Sequence, residues 1–272
     1  MHLGETDASM LRDKDNFQTP KKSWNVTATA DDQNQNNQSQ LQTYSILGTS
    51  ALGIPSSATQ TATHYNAPEE PLRNPEVQFK QSVQDLKSQD WQKIFDALNT
   101  VKRVAQFHKE LLVMTSGPLP KETIKLTVKH VESLRSQISK NACMTLQIVY
   151  SELSTKDLDS NIEMVLPAIL KKSTDTNHFV SEQAEKALMM VCHACSESKV
   201  LSCIQMADGK GGSFRQKVAL SYCFLIERLG PRIRNHKDSQ RIVKAVVNML
   251  GEGAAEARNQ AKTAVAQIKN NI

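Results

Sequence analysis

Two twelve-residue stretches decide the fold, ISKNACMTLQIV at residues 138–149 and VSEQAEKALMMV at residues 180–191. In both, apolar or small residues stand at the first position and again 4, 7, 8 and 11 positions later. These offsets place the side chains on one stripe of an α-helix. The mostly small residue at the seventh offset lets a neighbouring helix approach closely. Each stretch is therefore predicted to be a buried inner helix.

The same stripe starts at Asp90, Phe214 and Ala257, so five segments of the chain share it. The five starting positions stand 48, 42, 34 and 43 residues apart, close to the spacing of about 40 to 47 residues in HEAT and armadillo units. Another amphipathic run precedes each segment, as at residues 124–131. The sequence therefore predicts an all-α fold, an α-solenoid of about five HEAT-like hairpins over residues 76–272 with loops aligned along its edges.

The segment before the repeats has a different composition. Residues 1–75 hold 15 large apolar residues or cysteines against 30 Ser, Thr, Asn and Gln. Such a segment buries too little apolar surface to offset the entropy lost on ordering. We therefore expect residues 1–75 to be a disordered polar leader and residues 76–272 to form the folded domain.

The charge divides at the same point. Residues 1–75 carry five Lys/Arg and eight Asp/Glu, a net charge of −3, which leaves 28 and 20, a net charge of +8, on residues 76–272. A partner with an acidic surface is expected for the basic part, whether protein or nucleic acid.

The sequence shows no signal for secretion or membrane insertion, so we expect the chain in the cytosol or the nucleus. The chain has no apolar run of the roughly 18 residues that a membrane span needs. The first residues, MHLGETDASMLRDKDNF, lack the apolar core of a secretory signal. We expect neither membrane insertion nor secretion, and the five cysteines are therefore expected to be reduced thiols.

Two motifs suggest chemistry, and both have a simpler explanation. Cys192 and Cys195 have the spacing of half a zinc site, but they fall beside a buried helical stripe and no second ligand pair follows. DGKGGS at residues 208–213 lacks the order of a phosphate-binding loop and follows a helix. Core cysteines and an inter-helix loop are predicted. We expect no catalytic residue, metal or cofactor.

Polar, basic and aromatic residues collect where the inner helices begin. Trp91 lies outside the buried stripe, and two interpretations of it stand: an indole packed under a loop, or an exposed anchor for a protein partner. The candidate binding residues are Trp91, Arg135, Ser136, His178, Phe179, Arg215, Lys217 and Arg258.

Four short motifs resemble a known family. They are SQDW at Ser88–Trp91, SLRSQI at Ser133–Ile138, KNAC at Lys140–Cys143 and TNHF at Thr176–Phe179. In this order within five helical pairs, they resemble a TOG domain, the tubulin-binding HEAT array of microtubule polymerases, CLASP proteins and crescerins. The similarity is greatest to crescerins, also called TOG array regulators of axonemal microtubules.

The resemblance implies a flat solenoid whose loop edge binds the αβ-tubulin heterodimer, with the first loops on β-tubulin and the later ones on α-tubulin. By this similarity Trp91 belongs to the first loop, Arg135 and Ser136 to the second, and His178 with Phe179 to the third. Arg215 and Lys217 then fall in the fourth loop and Arg258 in the fifth.

The functional prediction that follows is a non-catalytic module that binds tubulin or microtubules in the cytoskeleton and, through the crescerin resemblance, in the cilium. Two alternatives stay open. One is a HEAT scaffold for another acidic protein. The other, less favoured, is a solenoid that binds nucleic acid through its Lys and Arg residues.

Overall fold

The structure is a computed structural model that describes residues 70–113 and 117–271. Within these ranges every regular element is helical, so the all-α prediction is confirmed. The α-helices are α1 Pro75–Asp85, α2 Trp91–Phe107, α3 Pro118–Val131, α4 Ser136–Glu152, α5 Thr155–Leu158, α6 Ile162–Lys172, α7 His178–Ala194, α8 Glu197–Met206, α9 Gly212–Leu229, α10 Ser239–Met249 and α11 Ala255–Asn271. Two 3-10 helices, Lys109–Leu112 and Gly230–Asn235, complete the set.

The helices pair into five hairpins, α1–α2, α3–α4, α6–α7, α8–α9 and α10–α11. The inner helices α2, α4, α7, α9 and α11 contact one another in succession, and the outer helices α1, α3, α6 and α8 form a second layer. This is the predicted α-solenoid of five HEAT-like hairpins. The short helix α5, which connects the second hairpin to the third, was not predicted.

The repeating stripe forms the core between the two layers. In α4 and α7 every stripe residue is buried, from Ile138 to Val149 and from Val180 to Val191. Two later members, Val218 and Val265, are only half-buried. The first starting residue, Asp90, is exposed because its side chain caps α2. The seventh-offset residues are fully enclosed, which is why small side chains are needed there.

Buried polar groups connect neighbouring helices through this core. Asn141 Nδ2 of α4 donates to the Phe95 carbonyl of α2 at 3.2 Å and to Asn99 Oδ1 at 3.0 Å. The Ser139 hydroxyl donates to the Val131 carbonyl at the end of α3 at 2.6 Å. Satisfied buried hydrogen bonds of this kind fix how one helix is placed against the next.

Residues just before α1 also pack on the domain. Leu72 is buried and its backbone N–H donates to His108 Nε2 at 3.2 Å. Arg103 Nε donates to the Glu70 carbonyl at 2.7 Å. The predicted disordered leader lies, apart from residues 70–75, outside the described residues, and its boundary at residue 75 stays a prediction.

Candidate functional site

The loops inside the hairpins lie along one edge of the array, which we call the loop edge. In a stack of antiparallel hairpins the connections between hairpins lie on the opposite edge. Side chains that join neighbouring loops or the helix starts beside them, Arg135 with Trp91 and Arg215 with Glu252, show this alignment. The loop edge comprises residues 86–90, 132–135, 173–177, 207–211 and 250–254.

Short-range hydrogen bonds fix the first two loops. Ser88 Oγ accepts a hydrogen bond from the Asp90 N–H at 3.0 Å, and Asp90 Oδ1 accepts one from the Gln92 N–H at 2.9 Å. In the second loop Ser133 Oγ accepts from the Arg135 N–H at 3.2 Å. These bonds satisfy N–H groups that have no partner inside a helix, so the residues that follow start from a defined backbone position.

Trp91 and Arg135 meet across the first two loops. Trp91 is the first residue of α2, and the Arg135 guanidinium carbon lies 5.5 Å from the centroid of its ring. A cation over an exposed indole contributes about 0.5 to 1 kcal/mol. The indole is 37% exposed, so it is partly covered and still accessible. Ser136, the first residue of α4, is exposed next to this pair.

The third loop presents a second aromatic ring. Asp175 Oδ1 accepts from the Asn177 N–H at 2.8 Å, which holds the pKa of the Asp175 carboxyl below its ordinary value. Asn177 Oδ1 in turn accepts from the Phe179 N–H at 3.1 Å and caps α7. Phe179 is 69% exposed, with Lys140 Nζ 6.0 Å from its ring centroid and the exposed His178 ring 6.4 Å away.

The two candidate cations at the start of α9, beside the fourth loop, have acidic partners within the domain. Arg215 Nε lies 3.4 Å from Glu252 Oε2 of the fifth loop, and Lys217 pairs with Glu185 of α7. The loop ends at Gly211, whose φ of +99° is in the region that favours glycine. Both cations lie in the first two turns of α9, beside the fourth loop, and the sequence pattern does not indicate these ion pairs.

Arg258 holds the fifth loop together. Its Nη1 donates to the Glu252 carbonyl at 2.7 Å and to the Gly253 carbonyl at 2.8 Å, and the side chain is part-buried. Both carbonyls belong to residues 250–254, the loop that precedes α11. The contact role predicted for Arg258 therefore stays a prediction, and a second role, stabilising the loop, is visible in its hydrogen bonds.

Sequence reasoning missed Leu134, which is as exposed as a side chain can be, at 103% of its reference area. It lies in the second loop, directly before Arg135. The sequence feature that could have indicated this contact residue is an apolar side chain between the polar cap Ser133 and the start of an inner helix. Lys140, which covers the Phe179 ring, was also missed, because it lies a full turn inside α4 and only the packing of α4 against α7 brings the two together.

The cysteines lie in the core, as predicted. Cys192 and Cys195 are fully buried and all five thiols are free. Burial raises the pKa of Cys192 to about 12 and that of Cys195 further. Among the described residues no three His, Cys, Asp or Glu side chains are placed to hold a metal.

No helix in this part of the chain has the length and apolar character to cross a membrane.

Comparison with known proteins identifies the family. A family model described as CLASP N terminal matches residues 89–272, which is more than half of the chain. The chain belongs to the CLASP N-terminal family. Its helical part is a TOG domain, as the sequence motifs predicted.

Curated relatives of this CLASP N-terminal chain are similar at a modest level. It is 27% identical over 190 residues to human TOG array regulator of axonemal microtubules protein 1, covering 68% of this chain and 10% of the relative. A crescerin-like protein of Caenorhabditis elegans is 26% identical over 135 residues, 49% of this chain and 10% of that protein. The chain thus spans about a tenth of the length of these relatives.

A solved structure shares the fold of this TOG domain. It is described as "TOG-tubulin binding specificity promotes microtubule dynamics and mitotic spindle formation", and it superposes with a TM-score of 0.53 at 14% sequence identity. The match covers 71% of this chain and 81% of the other. At this identity the likeness establishes the architecture alone.

Proposed function

We propose that this chain is a non-catalytic module that binds αβ-tubulin or microtubules through its loop edge and acts in microtubule organisation. Its place would be the cytoskeleton, including the axoneme of cilia. The names of the relatives support this assignment, since they describe regulators of axonemal microtubules. The solved TOG structure, described by its tubulin binding, supports the same partner.

The observation that carries the proposal is the pair of exposed aromatic rings held at the starts of two inner helices. Trp91 and Phe179 follow capped backbone at Asp90 and Asn177, so little conformational entropy is lost when a partner covers them. Aromatic residues on rigid supports, with an arginine beside them, are the usual composition of a protein-binding hot spot. A nucleic-acid site would instead need exposed cations in a row.

The eight candidate residues divide by their present partners. Five of them lie in or directly after the first three loops and would form the main contact: Trp91, Arg135, Ser136, His178 and Phe179. Arg215, Lys217 and Arg258 would contribute further along, where each must first exchange an intramolecular partner for one on tubulin. Such an exchange gains little free energy.

Co-elution distinguishes this function from its alternatives. The full chain should elute at a larger apparent size on gel filtration when it is mixed with purified αβ-tubulin. It should not do so when it is mixed with a mixed-sequence RNA whose negative charge is similar to that of tubulin. Elution with the RNA at physiological salt, and none with tubulin, would favour the nucleic-acid alternative. Failure to bind either would leave a scaffold for another acidic protein as the better explanation of the +8 charge.

A further inference from the structure

Exposed apolar side chains recur along the loop edge. Nine large hydrophobic residues are exposed in the part of the chain that the structure describes. Four of them lie in or next to the first four loops, one for each loop. They are Trp91 at 37% exposure, Leu134 at 103%, Phe179 at 69% and Met206 at 79%. We call these four the apolar row.

The spacing of the apolar row follows from the repeat. Neighbouring inner helices in a packed array lie about 8 to 10 Å apart, so four residues in successive hairpins extend over about 25 to 30 Å along the edge. Leu250 in the fifth loop is also exposed, but it continues a stripe with Val243 and Val247 along the outer helix α10 and is left out of the row.

Several cations on the first turns of the inner helices and in the second loop are held by other groups. Arg135 and Lys140 lie over the Trp91 and Phe179 rings. Acidic side chains and backbone carbonyls occupy Arg215, Lys217 and Arg258 near the starts of α9 and α11, whereas Lys210 in the fourth loop is exposed. A partner carboxylate would compete with existing contacts at these positions, whereas the exposed faces of the apolar row, such as the side chains of Leu134 and Met206, lose only water when they are covered.

We infer that the loop edge binds tubulin chiefly through the apolar row, with Leu134 and Met206 as contact residues besides Trp91 and Phe179. This inference rests on the proposed function. The partner surface then offers apolar pockets at the repeat spacing, flanked by acidic groups that face Arg135 and Lys140. The net charge of the domain speeds the encounter, and the apolar contacts set the lifetime of the complex.

Serine substitutions in the full chain test the inference. Leu134→Ser should weaken the affinity for purified αβ-tubulin about ten- to one-hundred-fold, from the free energy of burying a leucine side chain. Met206→Ser should weaken the affinity somewhat less than Leu134→Ser does. Val77→Ser is the matched control, since Val77 is 69% exposed in the first turn of the outer helix α1, at the other edge. Arg215→Gln should weaken the affinity less than Leu134→Ser does, because Arg215 must first give up its ion pair with Glu252.

Two outcomes would overturn the inference while leaving the proposed function intact. One is a parent chain that binds tubulin while Leu134→Ser and Met206→Ser bind as tightly as Val77→Ser. The other is a loss for Arg215→Gln larger than that for Leu134→Ser. A parent chain that does not bind tubulin at all would contradict the proposed function itself. Dissociation rates that change less than about threefold between low and physiological salt would support the apolar row.

Discussion

Replacing Arg258 by glutamine separates the loop-stabilising role of this residue from a role in binding. The substitution removes two hydrogen bonds from a charged donor, at 2.7 Å to the Glu252 carbonyl and at 2.8 Å to the Gly253 carbonyl. Hydrogen bonds of charged groups contribute about 1.5 to 3 kcal/mol when buried. Because one of these bonds is exposed, we expect a combined loss of about 1 to 2 kcal/mol in the free energy of unfolding.

The assay is thermal unfolding followed by far-ultraviolet circular dichroism. For a domain of this size each kcal/mol lowers Tm by about 2 to 4 °C, so Arg258→Gln should melt about 2 to 8 °C below the parent chain. Arg215→Gln is the control, because its ion pair with Glu252 is partly solvent-accessible and contributes at most about 1 kcal/mol. The affinity of Arg258→Gln for tubulin should fall by less than about threefold, since the apolar row is unchanged.

An Arg258→Gln chain that is as stable as the parent and binds tubulin more than about tenfold more weakly would refute this reasoning. Arg258 would then be a direct contact, as the family resemblance implied. Equal losses of stability and affinity in Arg258→Gln and Arg215→Gln would likewise show that the two hydrogen bonds to the loop have no special effect.

The remaining predictions concern the domain boundary, pH and thiol reactivity. Deletion of residues 1–67 should change the free energy of unfolding by less than about 1 kcal/mol. Leu72→Ala should cost about 2 to 3 kcal/mol because Leu72 is buried, although it lies before residue 75; equal effects of the two changes in denaturant titrations would contradict a folded domain that begins between residues 68 and 72. Burial lowers the pKa of His130, so stability should be complete above its ordinary value of 6.5 and fall as the pH drops below it. His130→Gln keeps a donor for the Leu86 carbonyl and should make stability depend less on pH. An unchanged pH profile of stability in this variant would show that His130 is not the group responsible. Native Cys192 should resist thiol reagents until denaturant is added, because its pKa is raised to about 12, and rapid labelling of the folded chain would show that it is accessible.

The architecture could be predicted from the sequence because a five-residue stripe repeats with little variation. Thr145, Ala187 and Ala264 are fully buried at the predicted small positions. This pattern depends only on residue spacing along a helix and on the need to bury one face of it. Helix α5 escaped prediction because a four-residue helix carries no such period.

The loop edge could be located but its contacts could not be predicted. The sequence shows that Arg215 is a cation near the fourth loop, but its partner Glu252 is 37 residues away and only the packing of α9 against α11 brings the two together. Leu134 was passed over because a single loop leucine has no periodic signal. The spacing of Ser88 and Asp90 does indicate the backbone of the first loop, since polar residues two apart before a helix are typical of a capped helix start.

A titration of the full chain and of Trp91→Glu against purified αβ-tubulin tests the central claim most directly. The parent chain should bind, and Trp91→Glu should bind at least about 30-fold more weakly, since loss of a buried aromatic anchor costs about 2 to 4 kcal/mol. The helical circular dichroism signal of the variant should equal that of the parent, because Trp91 lies outside the buried stripe. A Trp91→Glu chain that is folded and binds tubulin as tightly as the parent would contradict the claim that this edge is the tubulin-binding site.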